Sequence, residues 1–296
     1  MVDLRDLRCL DMLARHRHFA RAAAACGLSQ PAFSARIGNL EARFGTMLVQ
    51  RGNRFQGLTA EGETLLRHAR GILDQVKAMD QAFAEAGGAV AGTLALGVIP
   101  TALGMAARLT AALHARHPGI RVRLDTASSL AIQQGIADGR FDAGLSYGDG
   151  TAAEYAAVLP LYDETYALLA PAALVPAETA TITWAEAATR PLVLLAPSMQ
   201  NRRILDDVFD RVGATPHVVA ETSGFTASMA MVAQGFAAAI VPRALLDAVQ
   251  PPPGAVALPL EAPVEARAVG LLTPRRGAVL PTVTALQDVA AAMVAP

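Results

Sequence analysis

Two short helical segments separated by a glycine, within the first 45 residues, constrain the fold more than any other feature of the sequence. Small and apolar residues recur at helical spacing from Phe19 to Cys26, so another helix can approach closely. Gly27 then ends this segment, because glycine readily adopts the left-handed conformation that follows many helices. Ser29 caps the next helix, and Pro31 fits its first turn, where a backbone N–H has no partner within the helix. An earlier helix, capped by Asp3, is predicted from its leucines at helical spacing.

The helix that begins after Ser29 has an apolar stripe and a polar face. Its stripe is predicted to be Phe33, Ile37, Leu40 and Phe44. Small polar groups at the start of the second of two helices are typical of a helix-turn-helix, which places them at base edges in the major groove. Gln30 suits adenine, and Arg36 suits guanine or phosphate. An ordinary helical hairpin with a solvated face is the alternative. The candidate DNA-binding residues of this helix are Ser29, Gln30, Pro31, Ala32, Ser34 and Arg36.

The segment that follows predicts a β-hairpin wing. Residues 47–49 form one strand, Gly52 and Asn53 the turn, and residues 54–58 the return strand. Arg51 and Arg54 are placed to contact phosphates, although each is also explained as a solvated loop charge. Residues 1–60 hold nine arginines and four acids, a net charge of +5, whereas the whole chain carries −1. A basic head on an acidic body indicates that only the head meets a polyanion.

The motifs of residues 19–62 resemble those of a known family. The string Phe19-x-x-Ala22-Ala23, Ser29-Gln30-Pro31-Ala32-Phe33-Ser34, Ile37-x-x-Leu40-Glu41, Arg51-x-x-Arg54 and Leu58-Thr59-x-x-Gly62 resembles the N-terminal domain of LysR-type transcriptional regulators. The resemblance implies a winged helix-turn-helix at residues 1–59 that binds double-stranded operator DNA. Two further runs, at residues 54–59 and 199–203, look like a subgroup associated with formate dehydrogenase operons.

The next helix carries an apolar stripe with coiled-coil spacing. Thr59 caps it, and Gly87-Gly88 ends it, so the linker helix is predicted over residues 60–88. Its apolar positions average 3.5 residues apart, and following a DNA-binding head they favour dimerisation, because two heads can then occupy two half-sites. A helix packing on its own domain gives the same stripe. The predicted dimerisation residues are Leu65, Ala69, Ile72, Val76, Met79 and Phe83.

The remaining residues, 89–296, alternate short β runs with helices. This pattern predicts an α/β domain with a parallel sheet and helices on both faces. Two similar halves follow each other, with crossings near 160 and 266, and resemble the periplasmic-binding-protein-like effector domain of the same family. Lobe I is predicted at about 91–161 and 267–296, and lobe II at about 162–266. The complete chain is therefore predicted to be an α/β multidomain protein with an N-terminal winged helix-turn-helix.

Ligands of open α/β sheets bind at the carboxyl ends of strands, where helix N-termini converge. Four such ends carry hydroxyl groups or turns, and the family resemblance implies that these loops line an effector cleft. Because hydroxyl groups recur at these strand ends, the predicted ligand of the cleft is a small carboxylate or other anion. Each Ser or Thr taken alone is also explained as a helix cap. Arg202 or Arg203 could pair with it, or be a solvated helix charge. The candidate effector-binding residues are Thr101, Ser128, Ser129, Ser198, Met199, Phe225 and Thr226.

Other function classes lack support in the sequence. No nucleophile elbow, phosphate-binding glycine loop or zinc motif is present, so we expect no enzyme, cofactor or metal. A free-standing solute-binding protein, or an enzyme on the same two-lobed body, is the alternative. The two cysteines, Cys9 and Cys26, are expected to be inert thiols rather than a redox pair. We expect a cytoplasmic protein that makes no contact with membranes. We expect it to self-associate as a dimer or tetramer, and RNA polymerase is a further possible partner.

Overall fold

The computed structural model describes residues 2–50, 55–148, 156–176, 178–275 and 279–294. The chain forms two compact units. The first, here called the head, contains the residues up to Gly88, together with a short segment that ends at Pro281. The second, here called the body, contains the rest of the chain from Ala89 onward. No helix among the described residues is long and apolar enough to cross a membrane.

The head is built from four helices around one apolar core. They are α1 (Leu4–His16), α2 (Phe19–Ala25), α3 (Gln30–Phe44) and α4 (Ala60–Ala86). Asp3, Ser29 and Thr59 are the N-caps of α1, α3 and α4, as the sequence predicts, and each side chain accepts a hydrogen bond from the first turn. Gly27 has a φ of +67° directly after the cap of α2. Fully buried Leu10, Leu13 and Phe33 lie at the centre of the core.

The link between α3 and α4 is held by hydrogen bonds to its backbone. Glu41 Oε1 accepts from the N–H groups of Leu48 and Val49, at 2.9 and 3.2 Å. The Thr59 hydroxyl donates to Met47 O at 2.7 Å and accepts from Gly62 N at 3.0 Å. A Cβ at Gly62 would lie 2.1 Å from Leu48 O, so only glycine fits there.

Part of the predicted wing lies outside the described residues. Its two described arms meet at a single antiparallel bridge between Val49 and Leu58, with a second hydrogen bond from Gln50 N to Gly57 O at 3.0 Å. The arms therefore approach each other as a hairpin does, although neither is a continuous strand. The predicted turn at Gly52 and Asn53 lies outside the described residues, which leave out 51–54.

The linker helix is not separate from the head at its N-terminal end. Leu66 and Ala69 are buried in the core of the head. Arg70 Nε lies 3.0 Å from Asp11 Oδ1, and Arg15 Nε lies 2.7 Å from Asp11 Oδ2, so a buried carboxylate joins α1 to α4. The sequence-based boundary at residue 59 thus separates residues that share one core.

The body consists of two mixed sheets with helices packed against them. The strands are β1 (Gly92–Val98), β2 (Ile120–Thr126), β3 (Ala143–Tyr147), β4 (Ala156–Glu164), β5 (Tyr166–Pro171), β6 (Ile182–Thr183), β7 (Leu192–Leu195), β8 (Val218–Thr222), β9 (Ala238–Pro242), β10 (Ala255–Glu261) and β11 (Arg267–Pro274). The helices are α5 (Leu103–Arg116), α6 (Ser129–Ala137), α7 (Trp184–Ala188), α8 (Gln200–Arg211), α9 (Phe225–Ala233), α10 (Arg243–Ala248) and α11 (Pro281–Val294).

The predicted parallel sheet is confirmed for β1, β2 and β3, but neither sheet of the body is entirely parallel. The first sheet has the order β2-β1-β3-β11-β4, and β11 runs antiparallel to both of its neighbours. The second has the order β6-β10-β5-β9-β7-β8, and β5 runs antiparallel to β9 and β10. Antiparallel strands enter because the chain crosses from one lobe to the other and returns. Both crossings fall near their predicted positions, between β4 and β5 and between β10 and β11.

Candidate DNA-binding surface and interlobe cavity

The N-terminal turn of α3 presents short side chains to solvent. Gln30, Pro31, Ala32 and Ser34 are exposed, whereas Phe33 between them is fully buried. Ser29 is exposed as well, and its hydroxyl accepts from Ala32 N at 3.4 Å. Because these side chains are small, a groove-shaped partner can approach the backbone at the positive end of the helix dipole.

Arg36, a predicted DNA contact, is paired with acids of the head in this structure. Its Nη1 lies 2.6 Å from Asp6 Oδ1 and 3.7 Å from Asp3 Oδ2, both on the α1 side. The hydrogen bond to Asp6 raises the pKa of the Arg36 guanidinium. Arg36 therefore fastens α3 to α1 and would have to leave this pair to reach a base. The other two predicted arginines, Arg51 and Arg54, lie outside the described residues.

The apolar stripe of α4 divides into two parts. Leu65 packs against the core of the head, and Ala69 is fully buried in that core, so these two predicted dimerisation residues are used within the chain. Further along, Ile72 is 46% exposed, Met79 53% and Phe83 78%, with Val76 half-buried between them. This second part is an apolar strip on a helix that otherwise carries polar side chains.

In the body, a small cavity lies between the two lobes. It is narrow, with about 10 Å³ open to the centre of a water-sized sphere, which is room for about one water molecule. Lobe I contributes residues from the carboxyl ends of β1, β2 and β3, and lobe II contributes the end of β7 and the first turn of α8. No acidic or basic side chain lines this cavity among the described residues. The lining residues are Ile99, Pro100, Thr101, Ser128, Ser129, Tyr147, Leu195, Met199, Gln200 and Asn201.

Two polar side chains in the wall of the cavity are buried without a hydrogen-bond partner. Ser129 is 3% exposed and Asn201 is 4% exposed. Within the described part of the chain, Ser129 Oγ has no partner, and Asn201 Oδ1 and Nδ2 make no hydrogen bond of good geometry, although the Asn201 side chain lies close enough to the Tyr147 hydroxyl to lower its pKa. A buried polar group in this state costs about 1–3 kcal/mol. The cavity therefore holds unused hydrogen-bonding capacity that a polar ligand can satisfy.

A buried network lies against the same cavity. The Tyr147 hydroxyl lies 3.4 Å from Thr101 Oγ1 and donates to Glu164 Oε1 at 2.7 Å. Tyr166 donates to the same oxygen at 3.0 Å. Burial raises the pKa of Glu164 to about 7, although its hydrogen bonds oppose the shift. Burial and then the Glu164 carboxylate raise the pKa of the Tyr147 hydroxyl well above its ordinary value, and the nearby Thr101 and Asn201 side chains oppose that shift.

The structure brings together four of the seven predicted effector-binding residues. Thr101, Ser128, Ser129 and Met199 line the cavity, and Ser128 also caps α6. The remaining three do not line it: Phe225 packs in the core of lobe II, and Ser198 and Thr226 are exposed. Phe225 follows the end of β8, an edge strand, which the spacing pattern could not distinguish from the central strands.

Sequence reasoning missed Tyr147, Glu164 and Asn201. Tyr147 ends β3, so the argument from strand ends could have found it, but a search for hydroxyl-rich turns does not select an aromatic residue. Glu164 ends β4, which the sequence pattern does not predict as a strand. Arg202, considered for an anion, is paired instead with Asp206 and Glu221 at 2.8 and 2.7 Å.

An open groove adjoins the cavity and shares Ser129, Tyr147 and Gln200 with it. Arg203, Arg267 and Asp207 line this groove, and Arg267 is paired with Glu265. The α8 helix has no side-chain cap, because Met199 at its N-cap has no group that accepts a hydrogen bond from the first turn. The backbone N–H groups of this first turn therefore lie beside the cavity without a capping side chain.

A helix-turn-helix head joined to a two-lobed α/β body with an interlobe cavity defines a class of ligand-binding protein with a DNA-binding domain. Family models agree with both parts: residues 4–63 match "Bacterial regulatory helix-turn-helix protein, lysR family", and residues 87–295 match "LysR substrate binding domain". The chain belongs to the LysR family, and the predicted family and fold class are confirmed.

Several characterised proteins are similar to this chain. An SDS degradation transcriptional activation protein from Pseudomonas sp. (strain ATCC 19151) is 40% identical over 146 residues, which are 47% of this chain and 45% of that protein. The dual regulator OxyR of Escherichia coli (strain K12) is 34% identical over 143 residues, 48% of this chain and 47% of its own. The chain thus matches about half the length of these relatives. Neither name bears on the formate dehydrogenase subgroup, which stays a prediction.

Solved structures match over the full length. A full-length OxyR variant from Pseudomonas aeruginosa has a TM-score of 0.75 and 26% identity, covering 99% of this chain and 95% of that one. Full-length CbnR in complex with its target DNA has a TM-score of 0.69 and 20% identity, covering 98% and 99%. At this level of identity, the similarity to CbnR shows a shared fold.

Proposed function

We propose that this protein is a cytoplasmic transcriptional regulator that binds operator DNA through the N-terminal turn of α3 and responds to a small molecule between the lobes of its body. The DNA-binding part of this proposal rests on the alternation of exposed and buried side chains in that turn. Exposed Ala32 and Ser34 flank buried Phe33, so the helix is anchored by its apolar side while its small side chains remain free for base edges. Its relatives are transcriptional regulators by name.

The DNA-binding part is tested by Ser34→Glu. A carboxylate at the start of α3 would face phosphates, so we expect operator affinity to fall by about 100-fold or more, with the fold unchanged. The probe is a duplex enriched from a random library with the wild-type protein, and the measurement is fluorescence anisotropy at fixed salt. Asn39→Glu, at an exposed position further along α3, adds the same charge and should lose much less affinity. Equal losses in both variants would refute the assigned role.

We propose that the exposed second part of the α4 stripe forms a dimer seam. Ile72, Met79 and Phe83 present apolar surface along a helix, and two copies can bury it against each other. Ile72→Asp should dissociate the dimer, because an unpaired charge in an apolar seam costs several kcal/mol. Light scattering measures the mass. Ala78→Asp, on a different face of the same helix, is the matched control, and a dimeric Ile72→Asp variant would place the interface elsewhere.

The proposed effector is a small anion. The first turn of uncapped α8, the unpartnered Ser129 and Asn201, and the absence of acids among the described lining residues all favour negative charge. Several relatives are named for induction by hydrogen peroxide. Thiol oxidation in the body does not fit this chain, because both cysteines lie in the head. Burial raises the pKa of Cys9 to about 12, so its thiol is unreactive.

A further inference from the structure

Glu164 is a buried carboxylate that joins the two lobes and is not part of the cavity wall. It ends β4, where the chain crosses from lobe I to lobe II, and it is fully buried. Its Oε1 accepts hydrogen bonds from Tyr147 of lobe I and Tyr166 of lobe II, at 2.7 and 3.0 Å. Its Oε2 has no hydrogen-bond partner within the described residues. A carboxyl group can hold its proton on either oxygen, and a proton on Oε1 can be donated to the Tyr147 oxygen, which reverses that hydrogen bond.

The described groups around Glu164 leave its charge without a close cation. The hydroxyl groups that face it come from β3, from β5 and from Thr101 in the turn after β1, and Tyr162 on its own strand also senses its charge. Arg267, opposite Glu164 in the register of β11, forms an ion pair with Glu265 at 2.9 Å. With a pKa raised by burial to about 7, Glu164 has both protonation states available near neutral pH.

The protonation state of Glu164 decides the direction of the Tyr147 hydroxyl. An ionised carboxylate only accepts, so Tyr147 must donate to it and presents its oxygen to Thr101 and the cavity. A protonated carboxyl group can donate to the Tyr147 oxygen, and the Tyr147 hydrogen is then free to point toward the cavity. An anion needs donors, and it is repelled by a second negative charge two hydrogen bonds away. Both effects favour the protonated form when an anion is bound.

We propose that the interlobe cavity takes up its anion together with one proton, which Glu164 holds. The proton comes from solvent and forms an O–H bond on the Glu164 carboxylate, so the net charge of the buried site does not change on binding. This inference rests on the proposed effector site and is independent of DNA binding. It makes Glu164 a positioning residue, because it acts on the ligand through Tyr147.

The test is calorimetric titration of the full-length protein with acetate, which stays ionised above pH 6. Binding is measured from pH 6 to 8.5 at constant chloride, in two cationic buffers with different heats of ionisation. We expect the dissociation constant to rise about 30-fold across this range, with close to one proton taken up above pH 7.5. Glu164→Gln should bind acetate with a pH-independent affinity, at least about tenfold tighter than wild type at pH 8.

Two further variants keep the test decisive. Tyr147→Phe removes the hydroxyl that connects Glu164 to the cavity, so the pH slope of its affinity should shrink to the part due to the charge of Glu164, which tests the proposal even if Glu164→Gln fails to fold. Glu261→Gln, at an exposed position, should keep the wild-type slope. A pH-independent wild-type affinity, the same slope in Glu164→Gln and wild type, or no acetate binding at any pH would each overturn the proposal. Operator affinity is measured on the same samples by fluorescence anisotropy. Retained DNA binding together with any of these results would overturn the proton-uptake proposal alone, whereas lost DNA binding would count against the proposed regulator function.

Discussion

The head and the body handle buried polar groups in opposite ways. In the head, buried Asp11 is paired with Arg15 and Arg70, and Glu41 accepts two backbone hydrogen bonds. In the body, buried Ser129, Ser146 and Asn201 have no hydrogen-bond partner within the described residues, and Glu164 uses one of its two oxygens. The described head contains no such unpartnered atom.

The two units therefore differ in where their candidate functional groups lie. The head uses its polar groups to fix a rigid core, and its functional side chains stand on the surface of α3. In the body, Ser129 and Asn201 place such atoms in the wall of the interlobe cavity, where a ligand can satisfy them, whereas those of Ser146, Tyr162 and Arg190 lie outside that wall. Buried polar groups without partners reduce stability, so the two that line a cavity mark it as a candidate binding site.

The largest expected effect tests the rigidity of the head. Gly62→Ala places a Cβ 2.1 Å from Leu48 O, so the link between α3 and α4 must shift. We expect a loss of about 3 kcal/mol in the free energy of unfolding, because a backbone carbonyl held by Thr59 N at 3.0 Å cannot easily yield. Gly38→Ala in α3 meets no atom within 4 Å and should be neutral or stabilising by up to about 1 kcal/mol. Thermal unfolding followed by far-ultraviolet circular dichroism compares the two.

A second prediction concerns the pH dependence of the body. The Glu164 pKa rises from 4.5 to about 7 on folding, so the folded state holds a proton that the unfolded state has lost between these values. The stability of the body should therefore fall as pH rises from 4.5 to 7, by up to about 3 kcal/mol. Glu164→Gln should remove this slope and be more stable than wild type at pH 8. Urea unfolding followed by the fluorescence of Trp184, the single tryptophan, measures it.

The smallest effect concerns the unused hydrogen-bonding groups. Ser129→Ala removes a buried hydroxyl without a partner, so we expect the ligand-free body to gain about 1 kcal/mol. Ser128→Ala removes the cap of α6 and should instead lose about 1 kcal/mol. The same urea unfolding distinguishes the two neighbours. A loss of stability in Ser129→Ala would mean that its hydroxyl is satisfied, and the contrast between head and body would weaken.

Local signals predicted much of the head correctly. The caps Asp3, Ser29 and Thr59, the left-handed Gly27 and three of the four predicted stripe residues of α3 depend on residues within about one turn of each other. Phe44, the fourth, was predicted to be buried but is 46% exposed at the end of the helix. Such signals can be read along the chain because the partner atoms are close in sequence. The ion pair of Arg36 with Asp6 spans 30 residues, and no local pattern predicts it.

The sequence by itself determined most of the helices and strands, the caps of the head, its basic charge and the two crossings between lobes. Periodicity and capping act over a few residues, and a chain read in order displays them. Only the tertiary structure decided that β11 runs antiparallel in the first sheet, that Ala69 belongs to the core of the head, and that Tyr147, Glu164 and Asn201 meet around one cavity. These residues come from strands and helices far apart in sequence, and burial and hydrogen bonding between them exist only after both lobes have packed.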